Sequence, residues 1–288
     1  MRRPPLRYVV VAVLALVAFV GTMAGPAVWS ALTDTTAKDR IEADPPPALF
    51  PTAVTRRVDA LVDPQAARAV RRLAPWWRAH GTTADDQAFQ DWLEAHFPGP
   101  PGAAEKKHEM AEVVRLDRRR TAGGITAATW LEEHGKKDIW KLEAHDQAEY
   151  LPTSTGDDRK NAVDDILSMS KTVADDLAAR FESSAPYVLK PWLRTDKTVS
   201  PGDVCTCSYP SRHASGGAAA RTFLAWYDPQ RSTDYRWFED QVDYSRIYMA
   251  GHFASDIAGG SLLGDMIGDY FLVTRAHVDP SALDRPQE

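Results

Sequence analysis

The sequence predicts an all-α protein, a helical bundle behind an apolar N-terminal segment, on three observations. From about residue 58 onward, apolar residues recur at three- and four-residue spacing through most of the chain. Valine and isoleucine never form a period-two run, the mark of a half-buried strand. Proline and glycine gather between these segments, as in "PGPPG" at 98–102, where they end one helix before the next begins. With 288 residues and 44% hydrophobic content, the chain can build one large domain, or one domain with an appendage.

Residues 1–32 open with Arg2, Arg3 and Arg7, and then run from Tyr8 to Val20 with no polar side chain but the Tyr8 hydroxyl. The apolar character continues to about Leu32, which reads as a secretory signal or an uncleaved membrane anchor. The small residues Ala24–Ala27 could host cleavage, whereas the length of the whole run favours an anchor. Positive charge before the apolar stretch keeps that end in the cytoplasm and sends the body out, so the expected location is extracytoplasmic, membrane-anchored or secreted. "RRPPLR" resembles a twin-arginine signal only faintly.

Residues 33–57, with three consecutive prolines in "DPPPALFPT", read as a semi-rigid, extended linker. An N-terminal helical region follows over 58–124. It holds a helix at Asp63–His80 with Pro64 in its first turn, one at Ala84–Phe97 opened by Asp85 and Asp86, and one over 103–120. Residues 125–288 form the expected catalytic bundle. Thr126–Leu151 makes one or two helices with a break at Gly135, and 153–181 carries Val163, Ile166, Leu167, Val173 and Leu177 on one face. Residues 184–210 read as an ordered loop, and two helices follow, at about Ser211–Trp226 and about Tyr248–Val273.

A formal net charge of -6 argues against nucleic-acid binding, which needs a basic footprint. Cys205 and Cys207 are the only cysteines; a bridge between them would be strained, so they read as partly buried thiols or as a local or intermolecular disulfide. One Cys-x-Cys supplies two ligands at most, which argues against a zinc site. "HEMAE" at His108 lacks the second histidine of a zincin. His80, His96, His108, His134 and His145 read as surface residues, and "DRRR" at 117–120 as a solvated helix end. Trp76, Trp77, Trp92, Trp130 and Trp140 read as core, although "RRLAPWWRAH" could instead touch lipid headgroups.

Two constellations carry chemistry. Ser211 follows Pro210 as an N-cap, so the amides of Arg212 and His213 become unpaired donors at the positive end of a helix, a ready anion site. Gly216 to Ala220 then allow close packing against a neighbour. In "SRIYMAGHFASD", His252 and Asp256 are four apart; on a shared helix face the carboxylate can hold one ring nitrogen and leave the other as nucleophile or base. Arg246 lies off that face and is expected to reach back from before the helix. Gly260, Gly264 and Gly268 make a smooth stripe behind them.

In this order and spacing the residues resemble the superfamily of type 2 phosphatidic acid phosphatases, bacterial class A acid phosphatases and vanadium haloperoxidases, over roughly 125–275. Its third block, Ser-Arg-x5-His-x3-Asp, matches from Ser245 through Asp256, and its second, Pro-Ser-Gly-His, matches with Arg212 in place of glycine. The first block, Lys-x6-Arg-Pro, is eroded. Either Ala185-Pro186-Tyr187 or Lys190-Pro191-Trp192 takes the Arg-Pro place, and the residue seven before is Ala178 or Ser183, not lysine.

The resemblance implies His252 as nucleophile forming a phosphohistidine, Asp256 as its orienting carboxylate and His213 as general acid and then base. Ser211, Arg212, Arg246 and Lys190 would hold the phosphate, with Arg194 and Arg180 as substitute cations. It implies no metal or other cofactor, inhibition by vanadate, and a phosphorylated small molecule or a lipid phosphate or pyrophosphate as substrate, the membrane being met through the N-terminal segment. Two alternatives stand beside it: a pseudo-enzyme that binds phosphate without turnover, and a vanadium-dependent haloperoxidase with vanadate as cofactor.

Overall fold

A computed structural model describes residues 36–195 and 207–283. The described backbone is helical, with one isolated bridge, Ser184 to Cys207, and no strand. Its α-helices run α1 Ala37–Ala43, α2 Thr52–Thr55, α3 Asp59–His80, α4 Asp86–His96, α5 Ala103–Asp117, α6 Ala122–His134, α7 Asp138–Glu149, α8 Thr153–Phe181, α9 Pro186–Leu189, α10 Arg212–Tyr227, α11 Ser232–Tyr248 and α12 Ala254–Thr274. The apolar segment expected at 1–32 and Cys205 lie outside the described residues. Among the described residues no helix is long and apolar enough to cross a membrane.

At the centre, α10 packs along α12; α8 packs against both, α3 against α12 and α11 against α10. The glycine stripe makes the close approach possible. A Cβ at Gly260 would sit 2.4 Å from the Ser211 carbonyl oxygen, and one at Gly264 would sit 2.3 Å from that of Ser215. The rest of α12 is apolar nearly all round, as a helix enclosed on every side must be. Leu263, Ile267, Tyr270 and Phe271 are fully buried there, each worth about 1.5–3 kcal/mol of transfer free energy. Arg221 of α10 ties the three inner helices together, with Nε 2.7 Å from Glu239 of α11 and Nη2 2.5 Å from Asp265 of α12. Trp76, Trp130 and Trp140 are buried, and Trp77 and Trp92 pack against the core, as their spacing suggested.

Four expectations need correction. The segment read as an extended linker is ordered from Thr36 on and docked to the body. Thr36 and Asp39 form a capping box for α1, and Arg40 donates to both Asp138 oxygens at 3.0 and 2.5 Å. The Phe50 backbone exchanges two hydrogen bonds with the Gln241 side chain, at 3.0 and 2.8 Å. His134 is not on the surface: it is buried between Asp138 and Asp44, with ring nitrogens 3.1 and 3.0 Å from their carboxylates. "DRRR" is not wholly solvated either, since Arg120 turns inward and donates to the carbonyls of Tyr248 at 2.6 Å and Leu193 at 2.7 Å. Finally, the stretch before His252 is a separate helix, α11, and the expected helix from Tyr248 is broken at 249–253. Ala250 takes φ 58°, and the amides of Gly251 and His252 both return to the Arg246 carbonyl, a C-terminal cap that reverses the chain.

Candidate active site

The break between α11 and α12 makes the site. Arg246 stands in the last turn of α11, His252 in the connecting loop, and Asp256 in the first turn of α12. Opposite them Ser211 caps α10, its hydroxyl accepting from the Ala214 amide at 3.3 Å while its own amide donates to the Asp256 carbonyl at 2.9 Å. His213 and Arg212 follow in the first turn. His213, His252, Arg246, Arg212 and Arg194 all line one cavity of about 340 Å³, with Glu132 of α6, Asp175 of α8, Tyr187 and Cys207 in its wall.

His252 is oriented differently from the expectation. Its Nδ1 lies 2.8 Å from the Ser208 carbonyl oxygen and 3.9 Å from the Asp256 carboxylate. A carbonyl only accepts, so Nδ1 carries the proton and Nε2 keeps its lone pair. The helical face that was expected to join His252 to Asp256 does not exist, because His252 precedes α12. Asp256 acts on the loop instead: its Oδ2 accepts from the Phe253 amide at 2.8 Å, while its Oδ1 is buried without a hydrogen-bond partner among the described residues. It therefore fixes the backbone of the residue that follows the ring. Burial pushes the Asp256 carboxyl up to about 6.

Both imidazoles are kept neutral. Burial, then Arg246 and His213, lowers His252 to about 3, and burial, then Arg212 and Lys136, does the same to His213. The His213 Nε2 donates to the Glu132 carbonyl at 3.1 Å. Arg246 is 2% exposed; Nε bonds the Ser245 hydroxyl at 3.1 Å, Nη2 the Ala128 carbonyl at 3.1 Å, and Nη1 pairs with the Glu132 carboxylate. Burial draws Arg246 down to about 9, which still leaves the guanidinium a cation at neutral pH.

The other expected cations divide sharply. Arg212 lines the cavity, 40% exposed, with only a long 3.5 Å approach to Asp175. Arg194 also lines it. Lys190 does not: its ammonium lies over the Trp192 ring, 5.3 Å from the centroid, because the 3₁₀ turn Pro191–Leu193 turns that pair outward. Arg180 is also elsewhere, donating to the Glu94 carbonyl and resting 5.4 Å from the Phe181 ring centroid. Ser211 is buried beside the cavity, as cap and as link to Asp256, and does not line it. Among the described residues, no group of three or more His, Cys, Asp or Glu could hold a metal ion.

Glu132 was missed by sequence reasoning. "WLEEHG" carries two adjacent glutamates on a polar helix, and only the packing of α6 against α11 shows that Glu132 meets Arg246. The chain matches no family model and no curated protein.

Proposed function

We propose that this chain is a phosphatase that cleaves a phosphomonoester or a lipid phosphate through a phosphohistidine on His252. The observation that supports it best is the convergence of two neutral imidazoles and three guanidiniums on one cavity. The free Nε2 lone pair of His252 attacks phosphorus, and the P–O bond to the leaving alcohol breaks. Arg246, Arg212 and Arg194 hold the equatorial oxygens, where charge spreads in the transition state. A bound phosphate dianion raises the proton affinity of His213, which then protonates the leaving oxygen and later takes a proton from the hydrolytic water. The spacing from Pro210 to Asp256 and its resemblance to the phosphatase superfamily support the same roles. The apolar N-terminal stretch supports work outside the cytoplasm, near a membrane or after secretion.

One observation favours a second reading, a phosphate-binding pseudo-enzyme: the Glu132 carboxylate already occupies Arg246. Phosphate release from an aryl phosphate, its inhibition by vanadate and its loss in His252→Ala test the first reading. Vanadate binding without release would select the second.

A further inference from the structure

A second cavity lies away from the histidines, where α2 and the preceding Ala48–Pro51 segment cross α6 and α11. It measures about 420 Å³, within the usual range for small-molecule sites. Its floor is apolar and aromatic: Leu49, Phe50, Val54, Leu116 and Ala127, with the Phe50 and Tyr248 rings 5.0 Å apart. At its rim stand Arg57, from the 3₁₀ turn after α2, and Arg119, just beyond α5. Neither guanidinium has a hydrogen-bond or ion-pair partner among the described residues; burial holds the Tyr244 hydroxyl above its ordinary value, and both guanidiniums lie close enough to oppose that shift. That hydroxyl too lacks a hydrogen-bond partner among the described residues, while Tyr248 is satisfied by the Thr121 amide at 2.8 Å. In a chain with a net charge of -6, two unpaired cations and a phenol converging on an apolar cleft form a local exception.

We infer that this cleft binds a single-chain anionic amphiphile, its acyl tail on the aromatic floor and its carboxylate or phosphate head between Arg57 and Arg119. Apolar burial supplies most of the affinity, and a bidentate guanidinium contact fixes the head. The site is independent of the phosphatase reading, because none of its lining residues belongs to the histidine cavity.

Isothermal titration of the full chain with laurate, against the neutral dodecyl glucoside, tests it. Two variants accompany the parent: Arg57→Ala with Arg119→Ala, and Gly123→Leu. A Cβ at Gly123 meets nothing within 4 Å, so the leucine grows into the open cleft without disturbing α6. Laurate is expected to bind at least tenfold tighter than the glucoside, to lose at least tenfold in both of these variants, and to bind equally well to Arg212→Ala, which alters only the histidine cavity. No binding by the parent, equal affinity for the two amphiphiles, an unchanged Gly123→Leu isotherm or weakened binding in Arg212→Ala would each overturn the proposal. Sedimentation with phosphatidylglycerol vesicles separates a free amphiphile from a lipid surface. Vesicle binding that Gly123→Leu leaves intact would assign the arginines to a surface patch and overturn the cleft as well.

Discussion

Arg246 and Glu132 form an ion pair inside the cavity that His213 and His252 line, so the guanidinium best placed to hold a phosphate already holds a carboxylate. Under the proposed phosphatase reading, an anionic substrate would have to compete with that carboxylate. A phosphate dianion would gain from its second charge and from added contacts to Arg212 and Arg194, whereas a monoanion would have little advantage. On that reading Glu132 would set a threshold on substrate charge, while its carboxylate compensates a buried cation.

Replacing Glu132 with glutamine removes the competing charge and keeps the shape. The vanadate inhibition constant and the KM for an aryl phosphate are expected to fall together, by about tenfold, which is about 1.4 kcal/mol. Steady-state kinetics with vanadate as inhibitor read both. Weaker vanadate binding in Glu132→Gln would show that the carboxylate serves only to hold Arg246 in place.

The cations divide by position. Arg212→Ala is expected to raise KM and the vanadate constant by roughly three- to tenfold, since an exposed, loosely paired guanidinium contributes about 1 kcal/mol. Lys190→Ala and Arg180→Ala are expected to leave both within twofold, because neither residue lines the cavity. Comparing the three variants on one substrate checks the assignment.

Asp256 holds the loop, not the ring. Asp256→Asn can still accept from the Phe253 amide and is expected to keep most of the thermal stability. Asp256→Ala leaves that amide unpaired and is expected to cost about 1–2 kcal/mol, seen as a lower Tm. A nitrogen-15 NMR spectrum of the histidines should show His252 protonated on Nδ1 at pH 7 in both the parent and the asparagine variant, because the acceptor is the Ser208 carbonyl.

The inner helices carry a pH dependence of their own. Asp243 on α11 is fully buried with neither oxygen hydrogen-bonded, facing Glu239, Asp240, Arg236 and Arg221. Burial, and then Glu239 and Asp240, push its carboxyl well above the ordinary value. A raised pKa in the folded state means the unfolded chain releases its proton first, so this group's contribution is full below the unfolded pKa and is lost as pH rises towards the folded one. Asp243→Asn removes that loss. The stability advantage of the variant over the parent, and with it the gap in Tm, is expected to widen from pH 5 to pH 8, the free energy by up to about 1.4 kcal/mol for each unit across which only the unfolded carboxyl has ionised. Thermal melts of both proteins at the two pH values measure it.

Much of this arrangement was legible in the residues themselves. The helical periodicity of 153–181 and the punctuation at Gly135 appear in the structure as α8 and as the break between α6 and α7. The glycine stripe at 260, 264 and 268 marked the contact between α10 and α12, because only a missing Cβ tolerates such an approach. Pro210 to His213 marked a helix start, and Ser211 is its N-cap.

What was not legible depends on tertiary contacts. His252 and Asp256 have perfect helical spacing, yet the chain reverses at Ala250, whose left-handed backbone no residue type announces. The proline run at 45–47 looked like a linker because the partners of its flanks, Asp138, Trp130 and Gln241, stand far along the chain. By sequence Lys190 was the expected phosphate ligand and Arg194 a substitute; the turn between them puts Lys190 outside and Arg194 in the cavity wall.

The most direct measurement is mass-spectrometric trapping of the phosphoenzyme, after mixing the protein with an aryl phosphate and quenching in base, where phosphohistidine survives. A stoichiometric phosphoryl group on the peptide bearing His252, absent in His252→Ala and formed faster than phosphate is released, is the expected result. Phosphate release with no label on His252, or equal release by His252→Ala, would contradict it.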